Sequence, residues 1–310
     1  MDRSRPLIIV MNRGSGRKAE AERERDIAEG FASAGQAYRL LRAPEPSALP
    51  AIARQAVSIV KSGGGAVVAA GGDGTINTVV QAVLPSGVAF GVLPQGTYNF
   101  FGRDLGIPED PKEAIGALLG ARTRKIQVGL MNDRAFLVNA SLGAYPRLLE
   151  QREEAKRRFG RSRVVATISG VASLLRAHRT MDLVIELGGV SRTLQTSMLF
   201  VGNNRLQLDQ VGLPEAEDVD HGHLAAVAVK PVGRLSMLKL LLRGALGDLG
   251  KAENVIDFSF ETMRVHSLGR KRVKVATDGE VSWMKTPIVF RVAPHWLNML
   301  VPTKPTTATE

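Results

Sequence analysis

Cysteine is missing from all 310 residues, which removes disulfides and thiolate metal sites and fits a reducing, cytoplasmic setting. Aromatic residues make up only 5% of the chain, and no stretch interleaves Phe or Tyr with Arg. A stacking platform for single-stranded nucleic acid is therefore not expected. No run of eighteen apolar residues occurs either, because Arg, Lys, Asp or Gly breaks every candidate, so no spanning helix is expected. The early apolar run from Leu7 to Val10 is too short for the core of a secretory leader.

What the chain does have is apolar bulk and positive charge. A hydrophobic fraction of 44% supports a sizeable core, and the length suggests two domains. The net charge is +11, from 41 Lys and Arg against 30 Asp and Glu, a field that concentrates nucleotides or anionic lipid around the protein.

Apolar runs at Leu7 to Val10, Tyr38 to Leu41, Ala66 to Ala70 and Val88 to Leu93 read as strands. Helical patterns separate them: Ala19 to Ala34, a helix opened by Pro46-Ser47, Ile76 to Leu84, and one capped by Asp110-Pro111 that runs to Leu119. This alternation predicts an α/β fold with a doubly wound parallel sheet. Beyond about Lys125 the rhythm becomes mostly strands: Arg134 to Asn139, Met181 to Leu187, Thr193 to Val201, Leu224 to Val229, Val255 to Phe260, Val273 to Ala276 and Ile288 to Val292. A mostly antiparallel β-sandwich is expected there. Helical insertions are expected at about Arg147 to His178 and Gly233 to Leu249. The expected division is 1–128 for the first domain, with 294–302 as candidates to return to it, 129–293 for the second, and a disordered tail at 303–310.

The strand Ala66 to Ala70, the cluster Gly71-Gly72-Asp73-Gly74-Thr75 and a helix follow one another directly. That order presents backbone N–H groups and a helix dipole to an anion, with Thr75 available as a cap or hydroxyl donor. Asp73 would repel bound phosphate unless it holds Mg²⁺ through water or takes a proton near the transferred group. Spacing alone leaves open a plain Gly-Asp-Gly turn. Two further strand-to-helix loops, Asn12-Arg13-Gly14-Ser15-Gly16 and Pro94-Gln95-Gly96-Thr97-Tyr98-Asn99, fall on the same sheet edge. Walker and dinucleotide loops lose ground, because no Lys with Ser or Thr follows the glycines and the G-x-G-x-x-G spacing fails.

The ordered motifs Asn12-x-x-Ser15-Gly16, Gly71-Gly72-Asp73-Gly74-Thr75-x-Asn77, Pro94-x-Gly96-Thr97-x-Asn99 and Asp278-Gly279-Glu280 resemble the diacylglycerol kinase catalytic-domain family, which includes bacterial lipid kinases and sphingosine kinases. The resemblance implies an N-terminal nucleotide domain, a C-terminal β-sandwich for the acceptor, and a cleft between them. It implies ATP phosphates against Gly71, Gly72, Gly74, Thr75 and Asn77, completed by Asn12, Ser15, Gly16, Gly96 and Thr97. It makes Glu280 the general base, and Mg²⁺, near Asp73 through water, the ion that neutralises the transferred phosphoryl group. The acceptor it implies is a lipid or lipid-like alcohol.

Departures from the family pattern stand at Thr78, where an acid is usual, at Phe100, where Asp is usual, at Tyr145-Pro146 in place of Asp-Ala, and at His221-Gly222-His223 in place of the Asp-Gly beside a structural Mg²⁺. An NAD kinase, or a nucleotide- or lipid-binding protein without catalysis, are the alternative readings. The cluster Arg152, Lys156, Arg157, Arg158, Arg161 and Arg163, and the leucines Leu235, Leu238, Leu241 and Leu242 beside Arg234, Lys239 and Arg243, are candidates for peripheral contact with an anionic membrane at its inner face. Core packing is the competing explanation for those leucines. Oligomeric state is left open, with a dimer among the options.

Overall fold

The computed structural model describes residues 5–12, 17–96, 98–150 and 180–303. The chain divides into two compact units, 1–128 with 294–310, and 129–293.

The first unit alternates strands and helices: β1 (Leu7–Asn12), α1 (Arg17–Ser33), β2 (Tyr38–Ala43), α2 (Leu49–Gly63), β3 (Ala66–Gly71), α3 (Asp73–Val83), β4 (Ala89–Pro94), α4 (Phe100–Asp104), α5 (Pro111–Leu119) and β5 (Arg122–Ile126). The last strand of the chain, β18 (Leu297–Val301), completes its sheet in the order β2-β1-β3-β4-β18-β5, parallel except for β5. Central strands covered on both faces by helices bury all but their last residue, which is why β1 and β3 read as apolar runs up to Met11 and Ala70. Ile27 and Phe31 of α1 and Ile115 and Leu118 of α5 pack with Leu7, Ile9 and Val68 from the sheet. Asp110 caps α5 as expected, its Oδ1 accepting from the N–H groups of Lys112 and Glu113. The chain winds outward from β1 to β2 on one side and from β3 to β4 on the other. The carboxyl ends of β1 and β3 therefore flank the switch point of the sheet, the place where open α/β sheets receive ligands.

The second unit is a sandwich of two six-stranded sheets. One contains β6 (Gly129–Met131), β7 (Arg134–Phe136), β9 (Met181–Leu187), β10 (Val190–Thr196), β14 (Thr262–Ser267) and β17 (Ile288–Val292), in the order β10-β9-β14-β17-β6-β7. The other contains β8 (Asn139–Gly143), β11 (Met198–Gly202), β12 (Leu224–Val229), β13 (Val255–Phe260), β15 (Arg272–Thr277) and β16 (Glu280–Lys285), in the order β13-β12-β11-β8-β15-β16. Their pairings are antiparallel, and inward residues of both sheets, among them Phe136, Leu142, Leu183, Leu199, Met263 and Phe290, form one core. Among the described residues, helices α6 (Arg205–Gln210) and α7 (Arg234–Ala245) stand between strands of this unit.

Two expected strands are each broken into a pair belonging to different sheets. Arg134 to Asn139 divides into β7 and β8, because the N–H groups of Leu137 and Val138 go to the Asp278 carboxylate instead of a strand ladder. Thr193 to Val201 divides at Ser197, whose N–H bonds Val229 O, while Thr196 Oγ1 accepts the Met198 N–H at 3.1 Å. Strands β5, β14 and β16 had no clear apolar signal. Residues 144–150 are helical, and the basic cluster from Arg152 to Arg163 lies outside the described residues.

Candidate functional site

Helix α3 begins at Asp73, so Asp73, Gly74 and Thr75 form its first turn rather than a free loop. Gly72 is the N-cap and has no side chain with which to cap this end, and Thr75 lies inside the first turn. Thr75 packs over Gly71: a Cβ added to Gly71 would fall 2.6 Å from the Thr75 Cβ. The first turn places the positive end of the helix dipole at this edge, which favours an anion.

The β4–α4 loop lies directly against this turn. The Gln95 N–H donates to Gly71 O at 2.9 Å, and the Cα of Gly96 lies 3.2 Å from where a Gly72 Cβ would stand. Neither glycine can carry a side chain without moving backbone. Asn99, buried and in the left-handed region at φ 46°, holds the loop closed. Its Oδ1 accepts the Gly96 N–H at 2.9 Å, and its Nδ2 donates to Gly96 O and to Glu109 Oε1, each at 3.1 Å. Asn12 ends β1 beside β3, and its Oδ1 is buried with no hydrogen-bond partner among the described residues. Asn77 is buried and accepts from Gln81 at 2.8 Å, a role inside α3 that anchors the helix. Asn12, Gly71, Gly72, Asp73, Gly74, Thr75, Asn77 and Gly96 thus gather at one sheet edge. Ser15, Gly16 and Thr97 lie outside the described residues.

The departures acquire definite places. The Thr78 hydroxyl donates back to Gly74 O at 2.9 Å and is absorbed by the helix backbone. Phe100 stacks on Tyr98, with ring centroids 5.7 Å apart and an interplanar angle of 3°.

In the second unit, Glu280 opens β16 after a two-residue hairpin in which Asp278 and Gly279 have φ of 45° and 86°, a type I′ turn. Asp278 also fixes this turn from below. Its carboxylate accepts the successive N–H groups of Leu137, Val138 and Asn139 at 2.8, 2.9 and 3.0 Å, and its own N–H donates to Asn139 O at 2.9 Å. Glu280 is half-exposed and receives Arg134 Nη2 on Oε2 at 2.6 Å. The motif gave no reason to choose Arg134 as the partner of Glu280, since it comes from β7, 146 positions earlier.

The same unit holds a cavity of about 370 Å³ walled almost wholly by carbon, including Met198, Phe200, Val227, Met237 and Leu240. Its polar side chains are Tyr145, Ser197 and Gln207. One of these connects the cavity to the turn that presents Glu280: Gln207 Oε1 accepts from Asn139 Nδ2 at 2.9 Å. Tyr145 has its phenol pKa raised by burial and, secondarily, by the charge of Asp278. Sequence patterns alone did not reveal this cavity, because its walls come from strands and helices scattered from Ala144 to Leu249.

At the divergent His221-Gly222-His223, Gly222 is a left-handed helix cap, His221 Nδ1 lies 3.0 Å from Glu217 O, and Asp220 pairs with Arg205 at 2.5 Å. Among the described residues no three His, Asp or Glu side chains cluster as metal ligands.

Comparison with known proteins agrees with this architecture. Residues 6–131 match the diacylglycerol kinase catalytic domain, and residues 149–301 match the YegS C-terminal NAD kinase beta sandwich-like domain. The diacylglycerol kinase of Staphylococcus aureus strain bovine RF122 / ET3-1 is 28% identical over 217 residues, covering 69% of this chain and 67% of that protein. The protein of the same name from strain JH9 is 27% identical with the same coverage. A solved structure of a diacylglycerol kinase from Bacillus anthracis str. Sterne superposes with a TM-score of 0.74 at 17% identity, covering 96% of this chain and 98% of that one. With the catalytic-domain model matched over the first unit and the YegS C-terminal model over most of the second, in that order, the chain is similar along most of its length to diacylglycerol kinases, which supports a kinase.

Proposed function

We infer that this kinase transfers the terminal phosphoryl group of ATP to a hydroxyl of diacylglycerol or a related lipid alcohol. The observation that carries the lipid acceptor is the apolar cavity, whose volume lies in the range of small-molecule sites and whose wall is tied through Gln207 and Asn139 to the Asp278 turn. An acyl chain is the ligand that such a carbon-lined space takes up without leaving polar groups unpaired.

The donor phosphates lie against the first turn of α3, where the helix dipole favours negative charge, and the bare Gly71, Gly72 and Gly96 let that turn and the β4–α4 loop pack closely enough to shape the pocket. Asn12, with its buried and unpartnered Oδ1, completes this pocket, together with Asn77, Ser15, Gly16 and Thr97. The kinase family brings a divalent cation with its nucleotide. In the absence of a protein cluster of ligands among the described residues, Mg²⁺ would be held by phosphate, water and Asp73, a mode that suits its preference for retaining water. When bound, it neutralises charge on the phosphates.

Glu280 takes the proton of the acceptor hydroxyl as its oxygen bonds to phosphorus, and ADP leaves with the electrons of the broken P–O bond. Arg134 keeps the carboxylate oriented, and Asp278 fixes the turn from which it projects. The first unit is thus the ATP-binding domain and the second the acceptor-binding domain.

The test is transfer of label from γ-labelled ATP, with Mg²⁺, to a panel of diacylglycerol, a sphingoid base and NAD. Label is expected in a lipid phosphate. Label on NAD alone, or on no lipid alcohol, overturns the reading.

A further inference from the structure

Helix α7 has two apolar faces, and only one is used by the fold. Met237, Leu240 and Gly244 line the cavity. Leu235, Leu238 and Leu242, followed by Leu246 at the C-cap, point outward with exposures of 69, 38, 57 and 78%. At about 100° per residue these four fall within roughly 80° of arc, a continuous stripe on the side away from the cavity. Lys239 and Arg243, both exposed, border the stripe, and residues 234–247 contain no Asp or Glu.

We propose that this stripe is a membrane-docking surface that inserts its leucines among the acyl chains of an anionic leaflet. Four leucines at the water surface, bordered by cations, match a bilayer in both of its layers: apolar chains beneath and anionic headgroups around. The chain's net charge of +11 draws it to such a surface. None of the described helices is long and apolar enough to cross a membrane, and α7, at twelve residues, lies in the interface instead.

A second copy of the chain fits the stripe less well. A helix about 18 Å long presenting one row of side chains falls far short of the roughly 800 Å² per partner of a standard interface, and two copies would bring like charges together. The placement also deepens the lipid-acceptor reading, on which its purpose rests. The helix that would sit in the leaflet is the same one that walls the cavity, so a lipid passing from bilayer to cavity keeps apolar surroundings.

The experiment is flotation of the full chain with vesicles of phosphatidylcholine and phosphatidylglycerol that contain neither diacylglycerol nor ATP, using wild type and the triple variant Leu235→Ser, Leu242→Ser, Leu246→Ser. None of these three side chains lines the cavity. Wild type is expected to float, and the variant to partition at least about tenfold more weakly while keeping its thermal transition. Equal flotation of the two, or no flotation of wild type, overturns the proposal. Light scattering that shows a wild-type dimer and a variant monomer, with vesicle binding unchanged, overturns it in favour of a second copy.

A single-phase assay on short-chain diacylglycerol reads the acceptor assignment separately. Both proteins should turn it over alike. Loss of turnover in the variant alone would overturn a pure docking role, whereas absence of turnover in both leaves the flotation result to decide docking and counts only against the acceptor.

Discussion

In the first unit the edge proposed to receive phosphate is made of backbone: the first turn of α3, the bare Gly71, Gly72 and Gly96, and a loop pinned by Asn99 three residues from the glycine it holds. In the second unit the counterpart is made of side chains that reach across the sequence. Asp278 captures N–H groups 139 to 141 positions away, and Arg134 meets Glu280 over a separation of 146. An anion needs only donors and a dipole, which a short local segment can supply. A base and an apolar chain need a particular carboxylate and a shaped wall, which only tertiary packing can supply.

Removing the base should separate the two regions most sharply. Glu280→Gln keeps the shape and the hairpin but cannot take a proton, so turnover should fall by about 10²- to 10⁴-fold while ATP binding by calorimetry stays unchanged. Full activity would remove Glu280 from the chemistry. The reverse separation comes from Gly96→Ala. Its Cβ would lie 2.9 Å from the Gly72 Cα and 2.8 Å from Asn99 Oδ1, so backbone must move. About thirtyfold weaker ATP binding is expected, some 2 kcal/mol, within the usual cost of overpacking. Unaltered affinity would show that this contact does not shape the donor pocket.

The same contrast decides what could be read from the chain. Strands β1 and β3 announced themselves because burial on both faces makes nearly every residue apolar, and the glycine cluster stood out because its residues are adjacent in sequence. Strand β5, Arg-Thr-Arg-Lys-Ile, is exposed along most of its length and shows no apolar pattern. The breaks at Leu137–Val138 and at Ser197 are invisible in their own segments, since Asp278 and Val229 impose them from elsewhere. The hairpin before Glu280 was legible from Asp278-Gly279, and Glu280 was singled out only through the family resemblance, whereas the Arg134 contact and the cavity were not legible, because neither has a sequence period.

Asp278→Asn tests how much of the second unit depends on that one carboxylate. Asn tolerates the left-handed backbone at φ 45°, so the substitution isolates the loss of charge-assisted bonds to three N–H groups. A loss of about 1–2 kcal/mol in unfolding free energy is expected, read by denaturant midpoint. No change would mean that the hairpin is held by its ladder alone.

The smallest effect concerns pH, and it also belongs to the side-chain-built unit. Glu215 precedes β12, and its carboxyl is raised from the ordinary 4.5 to about 7, first by burial and then by its hydrogen bond to Asp257, with the charges of Asp257 and Asp218 adding to the shift and a bond from its own backbone opposing it. The folded state therefore holds a proton that the unfolded chain releases above about 4.5, and stability should be greatest below that value and fall as pH rises to about 7. Because the group is partly exposed, solvent screening reduces the contribution to about 1 kcal/mol. Glu215→Gln, which cannot ionise, should flatten this slope between pH 5 and 7 in thermal melts of the full chain. A slope that survives the substitution would place the titration on a different group and leave the Glu215–Asp257 contact without a part in the pH response of this unit.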